Sequence, residues 1–75
     1  MTLYQDLRRG LMRSGFRYIG QRGNKDAYTK VGLGNQIVYL GKLGTCRLGA
    51  TLSSSKPVSG EVLEVLLERA RHRVR

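Results

Sequence analysis

The run QIVYLGKLGTCRLGATL, residues 36–52, decides the fold of this chain. Val38 and Leu40 alternate with Ile37 and Tyr39, and Cys46, Leu48, Ala50 and Leu52 alternate with Thr45, Arg47, Gly49 and Thr51. A period of two belongs to strands, whose successive side chains point to opposite faces. Between the two runs, Gly41-Lys42-Leu43-Gly44 supplies two residues that take positive φ without a steric penalty, as a three- or four-residue hairpin loop requires. The rest of the chain has to pack on this ribbon or extend it.

Upstream, FRYIGQ at 16–21 reads as a strand with Phe16 and Tyr18 on one face and Arg17 and Ile19 on the other. A turn at Arg22-Gly23-Asn24-Lys25 leads to a second strand at 27–31. Gly32-Leu33-Gly34-Asn35 then reverses the chain into the central hairpin. Connections this short force neighbouring strands to be antiparallel, so the expected sheet is a four-stranded meander in sequence order.

A helix precedes the sheet, over about 2–14. Thr2 and Gln5 have the spacing of a capping box, and Leu3, Leu7 and Leu11 recur every four residues with Tyr4 beside them as the buried stripe. Gly15 suits the left-handed position past the helix end, with Phe16 packing back on Leu11. Gly10 costs roughly 1 kcal/mol against alanine and reads either as a site of close approach or, in preference, as a tolerated weakness. Residues 52–57 form a serine-rich connection to a second helix. Ser59 is its expected cap, because Val58 and Leu63 have the spacing of a hydrophobic staple. Val62, Leu63, Leu66, Leu67, Ala70 and Val74 make its apolar face. Glu61 and Glu64 lie near its positive end, and Arg69, Arg71, Arg73 and Arg75 crowd its negative end.

The expected fold is therefore α+β, a single domain over residues 1–75 in the order α-β-β-β-β-α, with both helices on one face of the sheet. The other face is expected to be open. Tyr18, Tyr28 or Tyr39 there, beside Arg17 and Lys30, would make a binding platform. Residues 45–52 at a sheet edge offer a route to a homodimer.

Composition narrows the function. The 75 residues leave room for one core. Fourteen basic residues against five acidic ones give a formal charge of +9, and ten of the fourteen are arginine, whose planar fork grips phosphate and stacks on bases. Such an excess on a short chain predicts attraction to polyanions, above all DNA or RNA. No apolar run reaches the roughly 20 residues of a membrane span, and the start MTLYQDLRRG has no signal-peptide core, so no membrane partner and a cytoplasmic location are expected. One cysteine excludes an internal disulfide, and with a single histidine there is no metal site of the usual Cys/His spacing. Cys46 reads as a buried hydrophobe.

Catalysis has little to rest on. His72 stands in a run of arginines with no nucleophile or acid placed beside it by sequence, and the carboxylates read as charge balance. Gly32-Leu33-Gly34 lacks the lysine, serine and helix of a phosphate loop. The basic clusters are the stronger signal: Arg8, Arg9 and Arg13 on the first helix, Arg17, Arg22, Lys25 and Lys30 around the first hairpin, and Arg69, Arg71 and Arg73 near the end of the chain. They are the expected contacts to a nucleic-acid backbone, with no catalytic residue, metal or cofactor.

The opening resembles the HicA-type small toxins: a leucine-spaced helix running into Gly15-Phe16, a strand, then Gln21-Arg22-Gly23 and later Tyr28. The likeness covers about the first 30 residues. It implies a double-stranded-RNA-binding-domain-like fold and RNA as the ligand. In that family a histidine follows the glycine of this turn and is held to be catalytic, whereas here Asn24, Lys25 and Asp26 occupy the place. Three functions follow in order: a non-enzymatic nucleic-acid-binding domain, a module that presents the same positive surface to an acidic protein, and an RNA-cleaving toxin.

Overall fold

The computed structural model describes residues 3–32 and 34–72, with side chains as far as Glu68. The elements are α1 (Leu3–Arg13), β1 (Arg17–Arg22), β2 (Lys25–Thr29), β3 (Ile37–Gly41), β4 (Cys46–Gly49), a 3-10 turn at Leu52–Ser54, β5 (Lys56–Pro57) and α2 (Gly60–His72). All strands pair antiparallel in the order β1-β2-β3-β4-β5. This is the expected α+β meander with one strand more.

The turns follow from the glycines. Arg22 pairs with Lys25 across a two-residue loop in which Gly23 alone has positive φ, 64°, as a type II′ turn requires. In the second hairpin Gly44 N donates to Gly41 O at 2.9 Å and Gly41 N to Thr45 O at 2.8 Å, with Gly44 at φ 84°. That is a three-residue loop closed by a residue in the left-handed region. The first strand carries a bulge between Tyr18 and Gly20, and β2 starts two residues earlier than its hydrophobic run suggests because the turn takes only Gly23 and Asn24.

Helix α1 ends as its sequence predicts. Phe16 N donates to Leu11 O and Gly15 N to Met12 O, with Gly15 at φ 93°, the double bond of a Schellman stop. Helix α2 starts at Ser59, whose Oγ accepts from Val62 N at 3.3 Å. Thr2, Leu33, Arg73, Val74 and Arg75, to which the sequence reading also assigned roles, lie outside the described residues.

Leu11 from α1 and Leu63 from α2 meet Phe16, Tyr28, Val38, Leu40 and Cys46 in one cluster, with Tyr4, Leu7, Leu48, Val58 and Leu67 packed around it. Each leucine fully withdrawn from water contributes about 1.5–3 kcal/mol. Both helices therefore cover the same face of the sheet. Leu3, expected in the buried stripe, is 59% exposed at the start of α1, where it lies against Gly44.

The opposite face is not open. Ala27 and Tyr39, which point away from the helices, are fully buried. The chain after β4 leaves the strand at Gly49 rather than continuing to Leu52, and folds back beneath the sheet. A Cβ at Gly49 would lie 2.6 Å from Ser55 Cα, and one at Gly23 would lie 3.1 Å from Leu52 Cδ1. This segment is held by its own capping box: Ser54 N donates to Thr51 Oγ1 and Thr51 N to Ser54 Oγ. It then returns as β5, with Lys56 opposite Leu48, Pro57 opposite Arg47, and Val58 N donating to Cys46 O. So β4 is an interior strand and cannot offer the dimer edge expected at 45–52; the outer strands are β1 and β5.

Candidate nucleic-acid interface

The register sorts the charged side chains by face. Asp26 shares the helix side of the sheet with its neighbour Leu40, and Lys25 points the other way beside Gly41. Arg17 and Arg22 on β1 face the same way as their partners Thr29 and Lys25, and Arg47 faces the same way as Tyr39. Arg17, Arg22, Lys25 and Arg47 therefore share the side away from the helices. Asp6 lies on α1, Glu61, Glu64 and Glu68 on α2, and Asp26 on the helix side of β2. All five carboxylates of the chain are thus on one side, and four cations are on the other.

Arg22 and Lys25 stand directly opposite each other. Like charges in that relation destabilise a strand pair. A bound anion would turn this repulsion into attraction. Arg17 and Arg22 are exposed, and Lys25 and Arg47 half-buried. Lys25 Nζ donates to Asn24 Oδ1 at 3.3 Å.

The expected cations on the helix side have other surroundings. Arg8 Nε donates to Tyr28 Oη at 3.1 Å, pinning α1 to β2, and this bond lifts the guanidinium above its usual pKa. Lys30 Nζ donates to Ser14 O at 2.7 Å, so its charge sits at the negative end of α1. Arg9 and Arg13 are exposed along α1, where Gln5, Arg8, Arg9 and Met12 line a shallow groove. Arg69 and Arg71 lie on α2 with side chains beyond the described set, and Arg73 lies outside it altogether. The helix arginines and the hairpin cations thus occupy two sides of the molecule, not one surface.

The tyrosines are also separated. Tyr28 is fully buried under α1 and Tyr39 fully buried on the other side, so neither serves a platform. Tyr18 alone of the three is exposed, at 48%, with its ring 5.4 Å from that of Tyr28 on the helix side. Tyr4 Oη donates to Asp26 Oδ2, and Tyr18 Oη lies 3.5 Å from Oδ1 of the same carboxylate. Asp26 is thereby engaged in joining α1 to the first hairpin. The hydrogen bond to Asp26, then burial, raises the Tyr4 phenol well above its ordinary pKa.

Arg47 is the residue that the sequence clusters missed. It stands alone between Cys46 and Leu48, and only its parity, opposite to those two core positions, places it with the hairpin cations. Among the described residues no group of His, Cys, Asp and Glu could hold a metal ion, and no helix is long and apolar enough to cross a membrane. Comparisons with protein-family models, with curated proteins and with solved structures find no match.

Proposed function

We propose that the protein binds nucleic acid through its phosphate backbone, without catalysis, using Arg17, Arg22, Lys25 and Arg47, which stay exposed or half-exposed on the sheet side that the serine-rich segment partly covers. A sheet side free of carboxylates supports this reading: it gathers four cations, two of them directly opposed, while every carboxylate lies on the helix side. Phosphate contacts of this kind position a protein on nucleic acid without reading its sequence. Arg9 and Arg13 on the far side add long-range attraction but do not share the contact surface. The resemblance to HicA-type toxins supports RNA as one ligand class. Cleavage is not part of the reading, because the place of that family's histidine is taken by Asn24, Lys25 and Asp26, the last held by Tyr4. A cytoplasmic setting, where such ligands are abundant, completes it.

The test is fluorescence anisotropy of labelled duplex DNA, single-stranded DNA and duplex RNA at two salt concentrations. Four phosphate contacts are expected to give a log–log salt slope of about −3 to −4. No binding to any of the three at low salt overturns the reading, and capture of one acidic protein under the same conditions would assign the surface to a protein partner instead.

A further inference from the structure

At the end of the sheet where the two hairpin turns stand side by side, Gln21, Asn24, Lys25, Lys42, Leu43 and Thr45 surround a cleft of about 250 Å³ floored by Gly41. Both turns are short, of two and three residues. Gly23 and Gly44 take the positive φ values that end one strand and start the next within two or three residues. The pairing of Lys25 with Gly41 then brings the tips together. Thr45 Oγ1 packs so closely over Gly41 that a side chain there would collide with it.

The lining is two ammonium groups, two carboxamides, a hydroxyl and one leucine, with no carboxylate. Its volume is below the about 300–1,000 Å³ of pockets that enclose drug-sized ligands, so it suits a small ligand, and its two ammonium groups favour an anion. Ammonium groups bind phosphate as point charges, while carboxamides and a hydroxyl donate directed hydrogen bonds to its oxygens. Lys25 is already held by Asn24, and Arg22 stands opposite it as a third nearby cation.

From this we infer that the cleft between the hairpin tips is a phosphate-binding subsite, formed by Lys25, Lys42, Asn24, Gln21 and Thr45, that takes one phosphate group of a nucleic acid. The inference deepens the nucleic-acid reading and rests on it for the source of the phosphate. Backbone phosphodiesters and terminal phosphomonoesters share the chemistry required. Arg17 and Arg47 lie away from the cleft lining and contact the chain on either side of the anchored group.

Backbone-amide NMR titration with inorganic phosphate, with a dinucleotide bearing a 5′-phosphate and with the same dinucleotide bearing a 5′-hydroxyl tests this. All three are expected to shift the amides of Asn24, Lys25, Lys42 and Thr45 ahead of those elsewhere. Tighter binding of the 5′-phosphorylated form assigns the site to a chain end, and equal binding of the two dinucleotides assigns it to a backbone phosphodiester. The Lys25→Gln/Lys42→Gln pair is expected to weaken the response about tenfold or more through loss of two charge-assisted contacts. Lys42→Gln alone, at an exposed turn position, gives the same direction with no burden on folding. Duplex binding retained without any phosphate response at these amides overturns this inference alone. A phosphate response without binding of any long nucleic acid overturns the earlier reading and leaves the subsite standing.

Discussion

At the residue scale, single atoms account for positions whose importance is invisible in composition. Gly49 is the sharpest case, since a methyl there would meet the backbone of Ser54 and Ser55 rather than a flexible side chain. Gly49→Ala is expected to lower the unfolding free energy by about 1–3 kcal/mol, the cost of overpacking, read as the urea midpoint. Cys46 is the opposite case, because its apolar surroundings in sequence already implied burial. Burial pushes its thiol up to about 11, so a thiol reagent at pH 8 is expected to label the folded protein far more slowly than the urea-unfolded chain. Both Cys46 and Tyr4 bind their protons more tightly in the folded state than in the unfolded one. Their contributions are therefore complete below the unfolded pKa values, about 9 and 10, and are lost as the pH rises through the folded ones. Urea midpoints should fall above pH 9, and Tyr4→Phe should flatten the part of the fall above pH 10. An identical fall in the variant would remove the Tyr4–Asp26 bond from the account.

At the scale of elements, end signals are legible, while of the close approaches only that at Gly10 is among the readings the sequence offers, and not the preferred one. Ser59 and Gly15 mark helix ends by local chemistry and sit where that chemistry puts them, and Val58 packs against the core cluster that holds Leu63. Ser59→Ala is expected to cost about 1 kcal/mol by the same urea midpoints, through loss of the bond to Val62 N. Gly10 faces Leu67 of α2, yet a Cβ there would stand 3.4 Å from Leu67 Cδ1, an ordinary contact. Gly10→Ala is therefore expected to stabilise the protein by up to about 1 kcal/mol through helix propensity, whereas a larger side chain would push α2 away. The strand β5 had no signal. Two residues, one of them proline, have no periodicity, and their pairing with β4 depends on a 3-10 turn whose cap lies among four polar residues.

At the scale of the molecule, the charge pattern and the burial pattern come from the same parity. The strand residues that face the helices include the core residues Tyr28, Val38, Leu40 and Cys46 and the strand carboxylate Asp26, and those that face away include Arg17, Arg22, Lys25 and Arg47 but no carboxylate. Arg47→Glu is expected to weaken nucleic-acid binding and to reduce the salt slope by about 1, the loss of one phosphate contact, while Arg13→Glu on the far side of α1 leaves the slope nearly unchanged. Equal effects of the two substitutions in anisotropy titrations would mean that net charge alone, and not this face, governs binding.

By itself the sequence determined the α+β class, the two helices with the stop of the first and the cap of the second, the order and direction of the first four strands, the burial of Cys46 and the positive charge, because each depends on neighbours within a few residues. Tertiary structure decided which faces are covered. The apolar run Ile37-Val38-Tyr39-Leu40 contains no polar residue, so its period could not name a solvent side, and the fold buries Val38, Tyr39 and Leu40 completely or nearly so by bringing helices over one face and the serine-rich segment under the other. The same long-range packing set the arginines of α1 apart from the cations of the first hairpin and joined Arg47 to the latter. A register fixes faces only when strands distant in the chain are paired, and no local pattern carries that information.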